Sequence, residues 1–322
     1  MSTKSYSLHP DFRRLSFVHF PADISVLPVC NALLSKIIDN ERSSGLVRVR
    51  KKEINGYRGT RVKLLIYEPF DLPNDAPCLV YYHGGGFMLK AAPFHYKLMR
   101  AYAVSAQCKV IFVDYSLTPD VIFPTPAEEC YKAYIWTVKN AANLNIDRRR
   151  IAVGGDSAGG NLAAAVTLMA KDRHAPMPCF QMLIYPLLDS RMGTASMKKH
   201  YDTPVFDSML AHLVWRLYTP VSPKNPSYAS PALAETLEGL PPAYIETAEF
   251  DCLHDEDIAY AERLKRDGVN VTLYNTSGTP HGFDAVSDSR ITKKSIKIRV
   301  IQLKTAFKLH SERNKNERQN RN

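Results

Sequence analysis

The sequence predicts one large α/β domain built on a mostly parallel β-sheet with helices on its faces. Three observations carry this. Strand-like and helix-like segments alternate along most of the 322 residues, which is the pattern of βαβ units. Two strand-like runs, 110–113 and 183–184, are apolar without polar alternation, as suits strands covered on both faces. A hydrophobic content of 45% in a chain of this length suffices for one sizeable core rather than two equal domains.

Taken in order, residues 1 to about 45 place Phe12, Leu15, Phe17, Val18, Leu27, Val29, Leu33, Leu34, Ile37 and Ile38 at roughly helical spacing, interrupted by Pro21 and Pro28. This is an irregular, partly helical arm with an apolar face. Such a face is normally buried, so a cap over a pocket of its own domain is favoured over contact with a lipid-like surface. Strands follow at 47–50, 62–68 and 78–82, the last two separated by Pro69, Pro73, Asn74, Asp75 and Pro77. Next come a helix at 96–107, a strand at 110–114, a helix at 128–140, and strands at 151–153 and 180–185. From 186 to 242 the alternation lapses. Met192, Gly193, Met197 and Pro204 precede an apolar helix candidate at 206–218, and Pro220, Pro223, Pro226 and Pro231 follow it. Residues of about 190–225 read as an insertion above the sheet that joins the arm in a helical cap. The sheet resumes at 243–250, with a helix at 255–266 and an eighth strand at 271–275. A final amphipathic helix uses Ile296, Val300, Leu303 and Phe307. The main domain is read as 46–310, and 311–322 as a disordered basic tail too polar to fold alone.

The net charge of +10 is concentrated toward the end of the chain, at Lys293, Lys294, Lys297, Arg299, Lys304, Lys308, Arg313, Lys315, Arg318 and Arg321. With no interleaved aromatic residues, it reads as a solvated tail rather than a nucleic-acid site. Cys30, Cys78, Cys108, Cys130, Cys179 and Cys252 are scattered through apolar segments, without Cys-x-x-Cys or histidine at metal spacing. They read as buried hydrophobes, so neither a metal nor a cofactor is expected. No signal-peptide layout opens the sequence and no run reaches the length of a membrane span. A cytoplasmic enzyme without stable membrane insertion is the expectation, and homodimer formation stays open. Asn270-Val-Thr and Asn275-Thr-Ser match glycosylation acceptors, which without an export signal read as coincidence.

Chemistry centres on residues 150–171, read as a buried strand, a tight turn and an Ala- and Leu-rich helix. Gly155, Ser157 and Gly159 form Gly-x-Ser-x-Gly at the turn. The small residues allow a sharp bend that holds the serine oxygen proud of the sheet. The pattern alone is weak, and the strand before it and helix after it give it weight. A phosphate-cradling turn would want similar surroundings. Neither a Lys-Ser/Thr pair nor a Gly-x-Gly-x-x-Gly run is present at this turn.

A serine nucleophile needs a base to take its proton and a buried acceptor to orient that base. On this strand-turn-helix scaffold the acid and then the histidine follow the serine at late strand ends. Asp251 directly follows the strand at 243–250, and His281 follows the strand at 271–275. Asp255, Glu256 and Asp257 are competitors, but they fall on the first turn of a helix, where the dipole alone favours acids. His174, His200, His254 and His310 lie in linkers or at polar helix ends and read as surface residues. His83 and His281 differ because a glycine follows each at a strand exit. In His83-Gly84-Gly85-Gly86-Phe87, the glycines let a loop turn its N–H groups toward an oxyanion, with the N–H of Ala158 as the further donor.

Together, His83-Gly-Gly-Gly-Phe87, Asp114-Tyr115, Thr118-Pro119-Asp120, Phe123-Pro124, Gly155-Asp-Ser-Ala-Gly-Gly-Asn161, Asp251-Cys-Leu-His-Asp-Glu256 and His281-Gly-Phe283 resemble the hormone-sensitive-lipase-like family of α/β-hydrolase carboxylesterases. The resemblance spans roughly 45–310 and implies the α/β-hydrolase fold. It implies Ser157, Asp251 and His281 as a triad and an oxyanion hole at Gly84, Gly85, Gly86 and Ala158. Within that hole Gly85, Gly86 and Ala158 supply the N–H groups, Gly84 shapes the loop and His83 braces it. The family more often shows Ala-Pro-Glu and Asp-Pro-Leu where this chain has Thr118-Pro119-Asp120 and Asp251-Cys252-Leu253, so the acid is the position most in question.

The expected activity is metal-free hydrolysis of short-chain, fairly apolar small-molecule esters through an acyl-enzyme on Ser157. Deacetylation or aryl-formamide hydrolysis on the same triad, and a non-catalytic ligand receptor on the same fold, remain the alternatives.

Overall fold

A computed structural model describes residues 6–18, 20 and 23–319, with side chains described as far as His310. Eight strands, β1 (Val47–Asn55), β2 (Arg61–Pro69), β3 (Ala76–Tyr82), β4 (Lys109–Asp114), β5 (Ile146–Asp156), β6 (Gln181–Ile184), β7 (Ala243–Phe250) and β8 (Val271–Pro280), form one sheet in the order β1-β2-β4-β3-β5-β6-β7-β8. Only β2 runs against the rest, pairing antiparallel with β1 and β4. The helices are α1 (Leu27–Asn40), α2 (Pro93–Ala106), α3 (Thr125–Lys139), α4 (Ala158–Asp172), α5 (Ala195–Lys199), α6 (Ser208–Tyr218), α7 (Pro226–Ala229), α8 (His254–Arg266) and α9 (Arg290–Gln319). Among the described residues, none is long and apolar enough to cross a membrane.

Alternate residues of one strand enter opposite cores, as the pleat requires. Leu64, Ile66 and Val80 face the side covered by α3, α4 and α8, whereas Leu65, Tyr67, Leu79 and Tyr81 face α2 and α9. Because both faces are covered, β4 is apolar between its charged ends, with Val110 to Val113 all buried.

Several elements differ from the sequence expectation. β1 continues through the exposed residues Lys51, Lys52 and Glu53, because an edge strand is held by its backbone ladder with β2 and needs no apolar alternation. β8 runs on to Pro280, so His281 follows the strand directly rather than a loop. The last helix continues to Gln319, past His310, since the intervening Lys, Arg, Glu and Gln residues are good helix formers and no Pro or Gly interrupts them. Residues 320–322, and Pro21 and residues 1–5, 19 and 22 of the arm, lie outside the described set.

Arg299 is not one of the solvated charges. It is fully buried, its guanidinium bound to both Glu246 and Asp284, with one N–H donating to the Tyr102 hydroxyl at 3.1 Å. A buried arginine persists only when its donors are met in this way.

Candidate active site

The carboxyl ends of the parallel strands carry the site, as open α/β sheets dictate. β5 ends at Asp156, and Ser157 turns sharply into α4 with φ 55° and ψ −120°. That conformation is strained for a residue with a Cβ, so the surroundings must hold it. The Ser157 N–H donates to Ile184 O at 2.8 Å, and Ser157 O accepts from the N–H groups of Leu187 and Asn161, each at 3.1 Å. Gly159 is required by close approach: a Cβ there would sit 2.0 Å from Tyr82 O.

Three of the predicted residues converge. His281 Nε2 lies 2.8 Å from Ser157 Oγ, and His281 Nδ1 lies 2.6 Å from Asp251 Oδ2. The other Asp251 oxygen accepts the Leu253 N–H at 3.0 Å, and Asp251 is wholly buried. A hydrogen on Nδ1 facing the carboxylate leaves the Nε2 lone pair for the serine proton. The rings of Tyr185 and Phe206 both pack on the imidazole, each 4.8 Å between centroids.

The glycine loop follows β3. Gly85 and Gly86 have φ of 119° and 61°, in the region that favours glycine. Among the described residues, the N–H groups of Gly85, Gly86 and Ala158 have no acceptor. Gly84, expected to shape the loop rather than to supply an N–H, donates its N–H to Asp156 Oδ1 at 3.1 Å. His83 is buried, with Nδ1 2.7 Å from Gly84 O and its ring stacked 4.5 Å from Tyr115, whose hydroxyl donates to His83 O at 2.7 Å. Burial, with repulsion from neighbouring His95, pushes the imidazole down to about 3, so it stays neutral.

The competing acids turn out to be more than dipole partners. Asp255 is half-buried and accepts the Ser196 N–H at 2.7 Å, whereas Glu256 and Asp257 are buried beneath the site. Glu256 accepts the N–H groups of Leu188 at 2.6 Å and Asp189 at 3.1 Å, pinning the segment after β6. Burial pushes the carboxyls of Glu256 and Asp257 well up, and nearby Asp251 adds to the shift. None of the three reaches His281; Asp251 does. His200 also differs from its reading as a surface residue, being buried beside Tyr6 and Phe250.

A cavity of about 500 Å³ opens at Ser157 and His281. Val18, Phe20 and Leu34 of the arm line it together with Phe206, Leu210 and Val214 from the segment around α6. Among the described residues, no three His, Cys, Asp or Glu side chains converge as a metal site. Asp156, His95 and Tyr185 carry no catalytic pattern of their own, although for Asp156 a charge at the end of a buried strand, directly before the nucleophile, is a usable signal.

A family model described as the alpha/beta hydrolase fold matches residues 79–285. The carboxylesterase NlhH of Mycobacterium tuberculosis is 38% identical over 245 residues, covering 74% of this chain and 76% of that protein. An ethyl acetate hydrolase of Pseudomonas putida is 33% identical, covering 70% of this chain and 72% of that protein. Among solved structures, a bacterial heroin esterase superposes with a TM-score of 0.85 at 33% identity, covering 94% of this chain and 98% of the other.

Proposed function

Because the chain belongs to the hormone-sensitive-lipase-like family of α/β-hydrolases, we propose that it is a serine carboxylesterase acting on short-chain, fairly apolar esters. The observation that carries this reading is the continuous path from Asp251 through His281 to Ser157, at 2.6 and 2.8 Å, beside three unengaged N–H groups. In the proposed reaction Ser157 Oγ attacks the ester carbonyl while its proton passes to His281 Nε2. Asp251 holds the Nδ1–H and stabilises the imidazolium. Gly85, Gly86 and Ala158 donate to the tetrahedral oxyanion, and the alcohol leaves with the proton from His281. Water then repeats the sequence on the acyl-enzyme.

The arm (residues 1–45) and the insertion at about 190–225 are proposed as one cap over the 46–310 domain. Support comes from the cavity, whose walls include Phe20 and Leu34 on one side and Leu210 and Val214 on the other. A mostly apolar chamber of finite depth rewards each accommodated methylene by about 0.8 kcal/mol until it is full. The names of the relatives, an ethyl acetate hydrolase among them, agree with small esters. A panel of p-nitrophenyl esters from acetate to laurate, with amide and lactone controls, tests the reading. Turnover should peak at short acyl chains, and failure to cleave any ester would refute it.

A further inference from the structure

Directly before the nucleophile stands a carboxylate that the reaction above does not use. Asp156 is buried at the end of β5, and both its oxygens are engaged. Oδ1 accepts from the Tyr81 hydroxyl at 2.9 Å and from the Gly84 N–H at 3.1 Å. Oδ2 lies 3.1 Å from Nε2 of His95, a buried residue in the first turn of α2. Burial alone would raise this carboxyl, but the charge and hydrogen bond of His95, with the Tyr81 hydroxyl, outweigh it and hold the group down at about 2. An ionised carboxylate only accepts, so His95 Nε2 carries the hydrogen between them.

Gly84 fits around this carboxylate. A Cβ on Gly84 would stand 2.3 Å from Asp156 Oδ2 and 3.0 Å from Asp156 O. The glycine is therefore demanded by the acid rather than by an oxyanion.

The donors assigned to the oxyanion come from two remote segments, Gly85 and Gly86 after β3 and Ala158 after β5. Their spacing must hold to a fraction of an ångström for both sets to reach one oxygen. Asp156 is covalently joined to Ser157 and hydrogen-bonded to the residue before Gly85. We propose that Asp156, oriented by His95, is a positioning residue that locks the glycine loop to the nucleophile turn and so sets the geometry of the oxyanion hole. This rests on the esterase reading.

Steady-state kinetics on p-nitrophenyl acetate test it, with wild type and Ser157→Ala measured alongside. Gly84→Ala should lower kcat by about 10²–10³-fold, the scale of losing an oxyanion donor, with KM nearly unchanged. Asp156→Ala should lower kcat in the same way. The double variant Gly84→Ala/Asp156→Ala should be no worse than the poorer single, because both break one link. His95→Leu should lose kcat, and His95→Gln, whose amide can still donate to the carboxylate, should recover part of it. An inactive wild type, or an active Ser157→Ala, would mean that the esterase reading has failed. With that reading intact, multiplicative losses in the double variant, losses in KM rather than kcat, or equal damage in His95→Gln and His95→Leu would overturn the positioning role.

Discussion

The floor of the site and the segments over it are held in different ways. On the floor, Asp156, Ser157, Asp251 and His281 are at most 5% exposed, and each is fixed by a strand end and by hydrogen bonds from remote parts of the chain. Over the cavity, α1 buries only Leu27 and Ile38, while Phe17 is 88% exposed and Met209 of α6 70% exposed. Polar ties anchor these segments too, Asp11 to Ser289, Asp39 to Lys63, Glu41 to Arg100 and Ser196 to Asp255 among them, but the cover meets the cavity mainly with apolar side chains such as Phe20, Leu34, Leu210 and Val214. Asn31 bridges Met88 O and the Lys90 N–H at 2.8 and 2.9 Å, and Val205 N–H meets Val18 O at 2.7 Å. A floor built on directional bonds suits a reaction that depends on angles. An upper wall built on apolar contact can change shape at small cost, which suits the choice of acyl group.

The comparison predicts that floor variants destroy turnover whereas cover variants redistribute it. The largest effect belongs to Ser157→Ala, which should cost about 10⁶ in kcat with an unchanged circular dichroism spectrum, since no other group can form the acyl-enzyme. Asp251→Asn should follow with a loss of about 10⁴, because it misorients the base. Asp255→Asn should stay close to wild type in the same assay, and a reversal of that order would exchange the acid.

At least one buried group of the site, His83, works against the fold in acid. His83 stays neutral in the folded protein down to about 3, whereas the unfolded chain takes up the proton near its ordinary value of 6.5. Between those values the unfolded state binds more protons, so this group costs stability as pH falls, by about 1.4 kcal/mol per unit. Glu256 and Asp257, whose raised carboxyls act in the opposite sense, are common to wild type and His83→Phe. In urea unfolding at pH 7 and pH 5 the wild type should therefore lose more stability, or gain less, on acidification than His83→Phe does.

The smallest effect is expected at the cover. Leu210→Ala should enlarge the chamber and favour longer acyl chains, by about fourfold for each further methylene accommodated. Hydrolysis rates from acetate to octanoate measure it. An unmoved chain-length profile would place the limiting wall elsewhere.

What could be read from the sequence follows the same division. Strands whose faces are both buried, such as β4, announce themselves as apolar runs, and the motifs at Ser157, Asp251 and His281 mark strand ends. Ladder pairing through charged edge residues leaves no such trace, so the second half of β1 was not visible. Nor were the buried ion partners, because Arg299, Glu246 and Asp284 meet only after α9 packs on the sheet. Asp156 stood in plain view within Gly-Asp-Ser. Its partners Tyr81, Gly84 and His95 lie 61 to 75 residues away, and nothing local to the motif points to them.

The most direct test of the central claim is the mass of the protein after reaction with an organophosphonate that transfers its phosphonyl group to activated serines. The account predicts a single adduct, mapped by peptide sequencing to Ser157, that grows in step with loss of esterase activity and is absent from Ser157→Ala. An adduct on another residue that accompanies inactivation, or full inhibition of Ser157→Ala by the same reagent, would contradict it.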